Sequence, residues 1–218
     1  MIDEDIRKRN ITEVLHFTTN RGVVGTLALR SLLSRRRLPT EAYLEHVLHP
    51  NAGVRPESSI YFDKSADWLD YVNLSISEIN SRFFTVSERW HQNADVWWAI
   101  LAFDPVIMAH DGVVFATTNN GYPYCQRAST EGGFEALFAP SVRRKSDWKA
   151  TRGGRPNFLP TCEQAEVLYP QQVSTDYLRR VYVRSGDDVD SISGWLRELG
   201  HKGVQVVLDP DKFLGTPN

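Results

Sequence analysis

The stretch TCEQAEVLYPQQV at residues 161–173 decides the fold, because it has the composition of a β-strand but carries a glutamate near its centre. Side chains alternate between the two faces of a strand, so Glu166 points away from Ala165 and Val167. A carboxylate in this position requires either a solvated face or a cleft in which it takes part in chemistry. Glu166 is therefore the first candidate for a functional residue.

The composition is that of an ordinary globular protein. The chain has 218 residues, 41% of them hydrophobic, which suits a single domain over residues 1–218 with a packed core. Its two cysteines, Cys125 and Cys162, are too few for a disulfide framework or a four-cysteine metal site. No apolar stretch approaches the roughly 20 residues of a membrane span. We predict a cytoplasmic protein with reduced cysteines and no membrane association.

Hydrophobic patterns along the chain predict alternating strands and helices. Residues 12–18 and 69–76 have the pattern of strands, and 96–105 is a continuous apolar run typical of a buried strand. Helical spacing follows Asn20, which has the side chain of a helix cap, and a second short helix is predicted at 39–50. These elements predict an α+β fold with helices outside the sheets.

Residues 118–160 lack a convincing period, and glycine and proline interrupt them repeatedly. A segment of this length without regular structure is usually a functional loop. Its mixture of aromatic and basic side chains suits single-stranded nucleic acid, because rings stack on bases while cations neutralise phosphates. The alternatives are a solvated basic surface and rings that attach the loop to the core. The candidate contacts are Tyr122, Arg143, Arg144, Lys145, Trp148, Arg152, Arg155 and Phe158.

Motifs for several common chemistries are absent from the sequence. It has no P-loop, no G-x-G-x-x-G after a strand, no H-E-x-x-H and no G-x-S-x-G elbow. His46 and His49 lack a convincing set of ligand partners, so no metal site is predicted.

Two further strand segments carry polar residues suited to a ligand. In LHFTT, residues 15–19, His16 ends an apolar strand just before a helix. The alternative for His16 is a half-buried histidine bonded to the backbone. In YVNLSIS, residues 71–77, Asn73 and Ser75 share one face of a strand, which a plain solvated face would equally explain. The residues alone therefore indicate a ligand-binding or nucleic-acid-binding α+β domain.

Five segments occur in an order that indicates a family. They are LHFTTNRGVVGTLALRSLLS, LDYVNLSI, AILAFDPVIM with GVVFATTNNG, GGFEALF and EQAEVLYP. Over about residues 12–185 this order resembles the DarT-type DNA ADP-ribosyltransferases, the toxins of bacterial toxin–antitoxin and phage-defence systems. The resemblance implies an ADP-ribosyltransferase-like fold, with two small packed β-sheets, flanking helices and a long substrate loop at about 118–160.

The resemblance also implies a reaction and a set of site residues. Glu166 would be the catalytic glutamate, which stabilises the positive charge that develops on the ribose when the nicotinamide bond of NAD breaks. NAD would be a co-substrate, and no metal is implied. The family's catalytic arginine lies between the first helix and the second strand, where Arg55 is the candidate and Arg36 and Arg37 are alternatives. The implied NAD-binding residues are His16, Phe17, Thr18, Asn73 and Ser75.

The acceptor and the partners are implied in the same way. The loop would approach a base in single-stranded DNA, whereas duplex DNA would be a poor substrate because its bases are stacked and paired. Thymidine-modifying members usually have YVPFYF where this chain has YVNLSI, and basic residues where it has Thr161–Glu163. These differences favour guanine, with thymine as the alternative. The expected partner is an antitoxin, either a macrodomain or a related ADP-ribosyl hydrolase, and the expected state is a monomer.

Two other hypotheses stay open at this point. The same fold would also suit an ADP-ribosyltransferase that modifies protein or RNA. Alternatively, the chain is a noncatalytic nucleic-acid-binding module whose glutamate belongs to a structural network. NAD consumption separates the enzyme hypotheses from the noncatalytic one, and salt-dependent binding separates a nucleic-acid acceptor from a protein acceptor.

Overall fold

The computed structural model describes residues 2–38, 68–90, 95–145 and 147–218, so the helix predicted at 39–50 lies outside the described residues. The predicted α+β class is confirmed. The strands are β1 (Val14–Thr19), β2 (Ser31–Leu33), β3 (Tyr71–Ile76), β4 (Trp98–Phe103), β5 (Val114–Ala116), β6 (Arg127–Ala128), β7 (Ser141–Lys145), β8 (Trp148–Thr151), β9 (Glu166–Pro170), β10 (Gln172–Ser174), β11 (Leu178–Val183) and β12 (Gln205–Leu208). The helices are α1 (Ile2–Lys8), α2 (Asn20–Ala28), α3 (Ser81–Trp90), α4 (Glu131–Ala136) and α5 (Gly186–Glu198). No helix in these ranges is long and apolar enough to cross a membrane.

Eight strands form one sheet in the order β12-β11-β4-β1-β3-β9-β5-β6. β4 lies inside this sheet and all of its residues are buried, which explains its continuous apolar run. β1 pairs with β4 along its whole length, from Val14 opposite Phe103 to Thr19 opposite Trp98. Helices α2 and α5 contribute apolar side chains to the same core, so the sheet is covered by helices as predicted.

β3 joins the two halves of the large sheet. Its residues Ser75 and Ile76 pair with Leu15 and Val14 of β1, whereas residues 71–74 pair with β9. The ladder between β1 and β3 ends at Leu15, so the remaining part of β1 is no longer paired with β3. The two packed sheets expected from the sequence are therefore continuous through β3.

The segment 118–160 is more ordered than its sequence pattern predicted. It contains β6, α4 and the β7–β8 hairpin, and the hairpin forms a separate two-stranded sheet. Exposed and buried residues alternate along β7, with Val142 and Arg144 buried. An inward-facing arginine interrupts the apolar alternation by which a strand is recognised in a sequence, so periodicity alone did not indicate the hairpin.

Two element boundaries differ from those predicted. Helix α2 begins at Asn20, but its cap is Thr19, whose side-chain oxygen accepts a hydrogen bond from the backbone N of Gly22 at 3.3 Å. β9 begins at Glu166, so the glutamate opens the strand and does not lie at its centre. This position puts the carboxylate at one end of the sheet, next to the turn that follows β5.

Candidate active site

Glu166 is held by two amide donors at the start of β9. Its Oε2 accepts hydrogen bonds from the backbone N of Asn120 at 2.8 Å and from Nδ2 of Asn73 at 3.1 Å. β9 lies between β3 and β5, so the carboxylate is placed where β3 and the turn after β5 meet. Its side chain is half-buried. Because both donors are neutral, they orient the carboxylate without cancelling its charge.

Asn73 also links Glu166 to the histidine of β1. The backbone carbonyl of Asn73 accepts a hydrogen bond from Nδ1 of His16 at 2.9 Å. A carbonyl oxygen only accepts, so Nδ1 carries the proton and Nε2 of the neutral ring is an acceptor. This bond forms just beyond Leu15, where the ladder between β1 and β3 ends. Three predicted site residues from three strands are thus brought together.

Burial shifts the ionisation of both titratable groups in this cluster. Loss of solvation raises the pKa of Glu166 to about 7, and the bonds from Asn120 and Asn73 and the charge of Arg127 oppose that rise. Burial lowers the pKa of His16, and its bond to the Asn73 carbonyl opposes this change. At neutral pH the histidine is therefore uncharged, whereas the glutamate populates both of its forms. A carboxyl group of this kind serves as a fixed negative charge or as a proton acceptor.

Asn120 and Arg127 belong to this cluster, although the sequence did not single them out. Oδ1 of Asn119 accepts from the backbone N of Gly121 at 2.9 Å and closes the turn that presents the Asn120 amide. Nε of Arg127 donates to Oδ1 of Asn120 at 2.6 Å, and a terminal guanidinium nitrogen donates to the Asn120 backbone oxygen. The turn residues Asn119, Asn120 and Gly121 are recognisable in the sequence, but no pattern in the sequence indicates that Arg127 binds this turn.

Phe17 lies in an aromatic cluster beside His16. Its ring centroid is 5.9, 5.3 and 5.8 Å from those of Phe83, Phe84 and Trp98. These contacts join the end of β1 to α3 and β4, and Phe17 remains half-buried. Phe17 therefore supports the end of β1 that carries His16, and the exposed part of its ring lies beside His16.

Thr18 and Ser75 are the remaining predicted NAD-binding residues. Thr18 is so close to α2 that a Cβ at Gly22 would lie 2.0 Å from the Thr18 Oγ1, so a side chain at Gly22 would displace that of Thr18. Ser75 is half-buried and pairs with Leu15 in the ladder that ends just before His16. Both residues therefore flank the position at which β1 and β3 separate.

The predicted catalytic arginine, Arg55, lies outside the described residues. Its alternative Arg37 is bound to Asp70, with Nε donating to Oδ1 at 2.9 Å and a terminal nitrogen donating to Oδ2 at 3.4 Å. Oγ of Ser34 donates to the same carboxylate at 2.8 Å. The hydrogen bonds from Arg37 and Ser34 lower the pKa of Asp70, and the positive charge of Arg36 lowers it further. Arg37 is therefore placed directly before β3, the strand that carries Asn73.

Part of the predicted nucleic-acid surface is accessible to a ligand. The Arg143 guanidinium lies over the Tyr124 ring, 3.6 Å from its centroid. Trp148 is 49% exposed, enough for a base to stack on its ring. Tyr122 is half-buried, and burial raises the pKa of its hydroxyl, a rise that the nearby Gln164 side chain opposes. The exposed predicted contacts are Arg143, Lys145, Trp148 and Phe158.

Arg144 is a correction to the predicted surface. Its side chain is fully buried, pairs with the buried carboxylate of Glu163 and donates from Nε to Sγ of Cys162 at 3.2 Å. Glu163 also accepts from Nε of Arg82 on α3 at 2.8 Å. The prediction that Arg144 contacts DNA is wrong, because its charge is neutralised inside the protein and has no route to a phosphate.

Arg155 and Arg152 are also held within the protein. The Arg155 side chain is 7% exposed and pairs with Glu78, whose side chain is 6% exposed. Arg152 is half-buried and donates to the backbone oxygens of Leu159 at 3.1 Å and Pro156 at 3.0 Å. Arg155 is therefore a second correction, and Arg152 shapes the segment between β8 and β9.

The cysteines and the acidic side chains offer no metal or thiolate site in the described part of the chain. Cys125 and Cys162 are free and buried. Burial raises the pKa of Cys125 to about 11 and also raises that of Cys162, so both remain protonated at neutral pH. No three His, Cys, Asp or Glu side chains of the described ranges are grouped as metal ligands.

Solved DarT structures share this fold. Thermus sp. 2.9 DarT in complex with ADP-ribosylated ssDNA matches with a TM-score of 0.61 and 15% identity over 93% of this chain and 96% of that chain. The same protein in complex with NAD+ matches with a TM-score of 0.60 and 14% identity over 92% and 96%. Thermosipho africanus DarTG in complex with ADP-ribose matches with a TM-score of 0.62 and 16% identity. That match covers 95% of this chain but 52% of the other, so the chain spans about half the length of DarTG.

The family comparison is the more decisive one. No curated protein is detectably similar to the chain in sequence. The family described as "ssDNA thymidine ADP-ribosyltransferase, DarT" matches residues 15–214, a range that includes His16, Asn73 and Glu166. This match confirms the resemblance found in the sequence, and the solved structures confirm the ADP-ribosyltransferase-like fold. The chain therefore belongs to the DarT family of ssDNA thymidine ADP-ribosyltransferases.

Proposed function

We propose that this protein transfers ADP-ribose from NAD to a base of single-stranded DNA. The observation that carries the proposal is the half-buried Glu166 carboxylate, which two amides hold and whose pKa is raised to about 7. Family membership supports the reaction class, and the Thermus DarT complexes with NAD+ and with ADP-ribosylated ssDNA support both substrates.

The chemistry follows from the position of this carboxylate. The bond between C1′ of the ribose and the nicotinamide nitrogen breaks, nicotinamide leaves as a neutral molecule and positive charge develops on the ribose. Ionised Glu166 stabilises that charge without having to reorient, because Asn73 and Asn120 already hold it. A base nitrogen then bonds to C1′ and releases a proton, for which the carboxylate is an acceptor.

The nicotinamide end of NAD is proposed to bind where β1 and β3 separate. The bond to the Asn73 carbonyl orients the His16 ring and leaves Nε2 to accept a hydrogen bond from an amide or a hydroxyl. Because burial lowers the pKa of His16, the ring stays neutral and does not repel the positively charged nicotinamide ring. Phe17, Thr18 and Ser75 border the same place and are proposed to complete the binding site.

A catalytic arginine between α2 and β3 is proposed from the family resemblance. Arg55 remains the candidate from the sequence, with Arg36 and Arg37 as alternatives. Arg37 is supported by its fixed position beside Asp70, directly before the strand that carries Asn73.

The β7–β8 hairpin is proposed to bind the DNA strand. Arg143 and Lys145 are exposed on β7 and would neutralise phosphates. Trp148 and Phe158 expose ring surface on which unpaired bases can stack, and the half-buried Tyr122 is proposed as a further contact. A base in a duplex is already stacked and paired, so duplex DNA is expected to react poorly.

Guanine is the proposed acceptor, and thymine is the alternative. The support for guanine is the strand YVNLSI, in which Asn73 and Ser75 replace the residues usual in thymidine-modifying members, and the absence of basic residues at Thr161–Glu163. The support for thymine is the description of the matching family. Both bases therefore have to be tested on the same protein.

A toxin role and an antitoxin partner are proposed from the family. The Thermosipho relative is a DarTG protein whose chain extends well beyond the matched part. The proposed partner is a macrodomain or a related ADP-ribosyl hydrolase that removes the modification. We further propose that the toxin is monomeric and acts in the cytoplasm as a phage-defence effector, where single-stranded DNA appears during replication.

The function is tested by mass spectrometry of short oligonucleotides incubated with the protein and NAD. The set contains single strands that offer only guanine or only thymine as the candidate base, together with a duplex of each. The expected result is a mass increase of one ADP-ribose on the guanine strand, retained in Arg179→Gln and lost in Glu166→Gln. Arg179 is the control because it lies on β11 and its ion pair with Asp104 is partly exposed.

Other outcomes would change the proposal. Modification of the thymine strand alone would replace guanine by thymine. NAD consumption without any DNA product would favour a protein or RNA acceptor. An intact NAD pool together with DNA binding would favour the noncatalytic module and contradict the proposed reaction.

A further inference from the structure

Arg127 holds the turn that presents an amide to Glu166. Its Nε donates to Oδ1 of Asn120 at 2.6 Å, one terminal nitrogen donates to the Asn120 backbone oxygen and the other donates to the Cys125 oxygen at 2.9 Å. The guanidinium therefore contacts the loop between β5 and β6 at two positions, Asn120 and Cys125. In the middle of this arrangement the Asn120 amide donates to Oε2 of Glu166 at 2.8 Å.

The position of Arg127 makes it unlike the arginines of the hairpin. It is half-buried on the short edge strand β6, where Ala128 and Arg127 pair with Phe115 and Ala116. Its guanidinium carbon also lies 5.3 Å from the Trp68 ring centroid. A guanidinium engaged in this way is poorly placed to bind a phosphate, but its charge lies close enough to Glu166 to act on it.

We propose that Arg127 is a positioning residue for the transfer reaction: it keeps the Asn120 amide on Glu166 and opposes protonation of the carboxylate. The inference rests on the proposed function, because it assigns Arg127 a role through Glu166. Arg127 acts by geometry, through the three bonds that fix the turn, and by charge, through its field at the carboxylate. It is not proposed to contact NAD or DNA.

In the described part of the chain, the groups that hydrogen bond to Glu166 are neutral amides. From β3, Asn73 contributes an amide, and through its carbonyl it holds His16, whose pKa burial lowers. From the loop, Cys125 faces the carboxylate as a thiol whose pKa is raised to about 11. Within the described ranges Arg127 is therefore the charged group that opposes protonation of Glu166.

The test is the pH dependence of single-turnover ADP-ribose transfer by Arg127→Gln, Arg127→Lys and the control Arg179→Gln. We expect Arg127→Gln to move the acidic limb of the profile to higher pH, with a loss of roughly tenfold near pH 7 that shrinks at higher pH. Arg127→Lys keeps the positive charge but loses the planar guanidinium that donates several bonds at once. The acidic limb of its pH profile should therefore lie between those of wild type and Arg127→Gln. Arg179→Gln should retain the wild-type profile.

Two results would overturn the inference. A loss that is equal at every pH would make Arg127 a purely structural residue, and the absence of any loss would remove it from the site. Should Arg127→Gln fail to fold, Asn120→Ala serves as the second variant, because it removes the oxygen that Nε of Arg127 binds and leaves the backbone amide in place. An unshifted profile in that variant would also count against the proposal.

A measurement without turnover separates this inference from the proposed function. The carboxyl carbon of Glu166 can be titrated by NMR in glutamate-labelled protein, with Glu166→Gln used for assignment. Arg127→Gln should raise the pKa of Glu166 relative to wild type. If wild type lacked transferase activity but the titration shifted, the proposed function would fail and the action of Arg127 on Glu166 would stand; an unshifted titration would contradict the inference itself.

Discussion

Two carboxylates in one short segment, Glu163 before β9 and Glu166 at its start, have opposite surroundings. Glu163 is buried and pairs with the guanidinium groups of Arg144 and Arg82. Glu166 is half-buried and accepts bonds from two neutral amides, with Arg127 acting from a greater distance. The Glu163 carboxylate and its two arginines hold the hairpin and α3 to this segment. Among the described residues the Glu166 carboxylate has no such ion pair, so its negative charge is not compensated by a bonded cation.

This difference separates a structural carboxylate from one suited to chemistry. A charge that is matched by adjacent guanidinium groups is satisfied in the folded protein and has little left to offer a substrate. A charge that is held by amides, and whose pKa burial raises to about 7, still gains from a positive partner. The electropositive ribose formed from NAD is such a partner.

The largest expected effect is that of Glu166→Gln on transfer. The substitution keeps the shape of the side chain but removes the charge, so the rate of ADP-ribose transfer should fall on the order of a thousandfold. The measurement is single-turnover transfer to a labelled single strand at pH 8, compared with Arg179→Gln. A rate within tenfold of wild type would contradict the catalytic assignment.

The same substitution should not harm the fold. The pKa of Glu166 is raised in the folded state, so the wild-type protein loses stability as the pH rises from about 4.5 to about 7, and Glu166→Gln does not. The melting temperature of the variant should therefore exceed that of wild type at pH 8 and approach it at low pH. A variant that melts below wild type at pH 8 would show that the carboxylate is structural.

Glu163→Gln should have the next largest effect, and it should act on stability. The substitution leaves the buried guanidinium of Arg144 without its counter-charge, which costs about 3 kcal/mol of unfolding free energy. The matched variant Arg82→Gln removes the partner that is 45% exposed and should cost about 1 kcal/mol or less. Urea unfolding of both variants measures the difference, and equal values would refute the structural role of the buried pair.

Asn73 offers a finer test of how Glu166 is held. Asn73→Ala removes the Nδ2 donor but leaves the backbone carbonyl that binds His16, so the transfer rate should fall roughly tenfold near pH 7. Asn73→Asp should be more damaging, because a second carboxylate next to Glu166 disfavours its ionisation further. The transfer rates of the two variants are compared at pH 7 and pH 8. If Asn73→Asp were the more active of the two, the amide would not be needed as a donor.

The smallest effects are expected on the hairpin, where exposed and buried arginines differ as the two carboxylates do. Arg143→Gln or Lys145→Gln should each weaken single-strand binding a few-fold and lower the salt dependence of the affinity by up to about one phosphate contact. Arg155→Gln, which breaks the buried pair with Glu78, should instead lower stability and leave the salt dependence unchanged. Fluorescence anisotropy over a series of salt concentrations distinguishes them, and a uniform response of all three would contradict the division.

The sequence predicted the site best where local pattern and chemistry agree. Strands β1, β3, β4 and β9 were recognisable because apolar residues dominate them, and a polar residue within such a strand is conspicuous. His16, Asn73 and Glu166 were chosen as candidates in this way, and the structure brings them together. Both interpretations of His16 also have support, since its bond to a backbone carbonyl is the same bond that orients its ring.

The sequence failed where the meaning of a residue depends on distant partners. Arg144 looked like its exposed neighbour Arg143, because alternation along β7 is visible only once the strand is known. Arg155 pairs with Glu78, and Arg127 binds Asn120, through contacts that the spacing of residues in the sequence does not indicate. A basic run therefore predicts positive charge but does not tell which charges are neutralised inside the fold.

The most direct test of the account is the pH profile of single-turnover transfer in wild type and in Glu166→Gln, measured from about pH 5.5 to 9. We predict that the wild-type rate rises through an ionisation near pH 7 and then levels off, and that the residual rate of Glu166→Gln lacks this limb. A wild-type rate that is flat across this range, or an unchanged limb in Glu166→Gln, would contradict the claim that ionised Glu166 drives the cleavage of NAD.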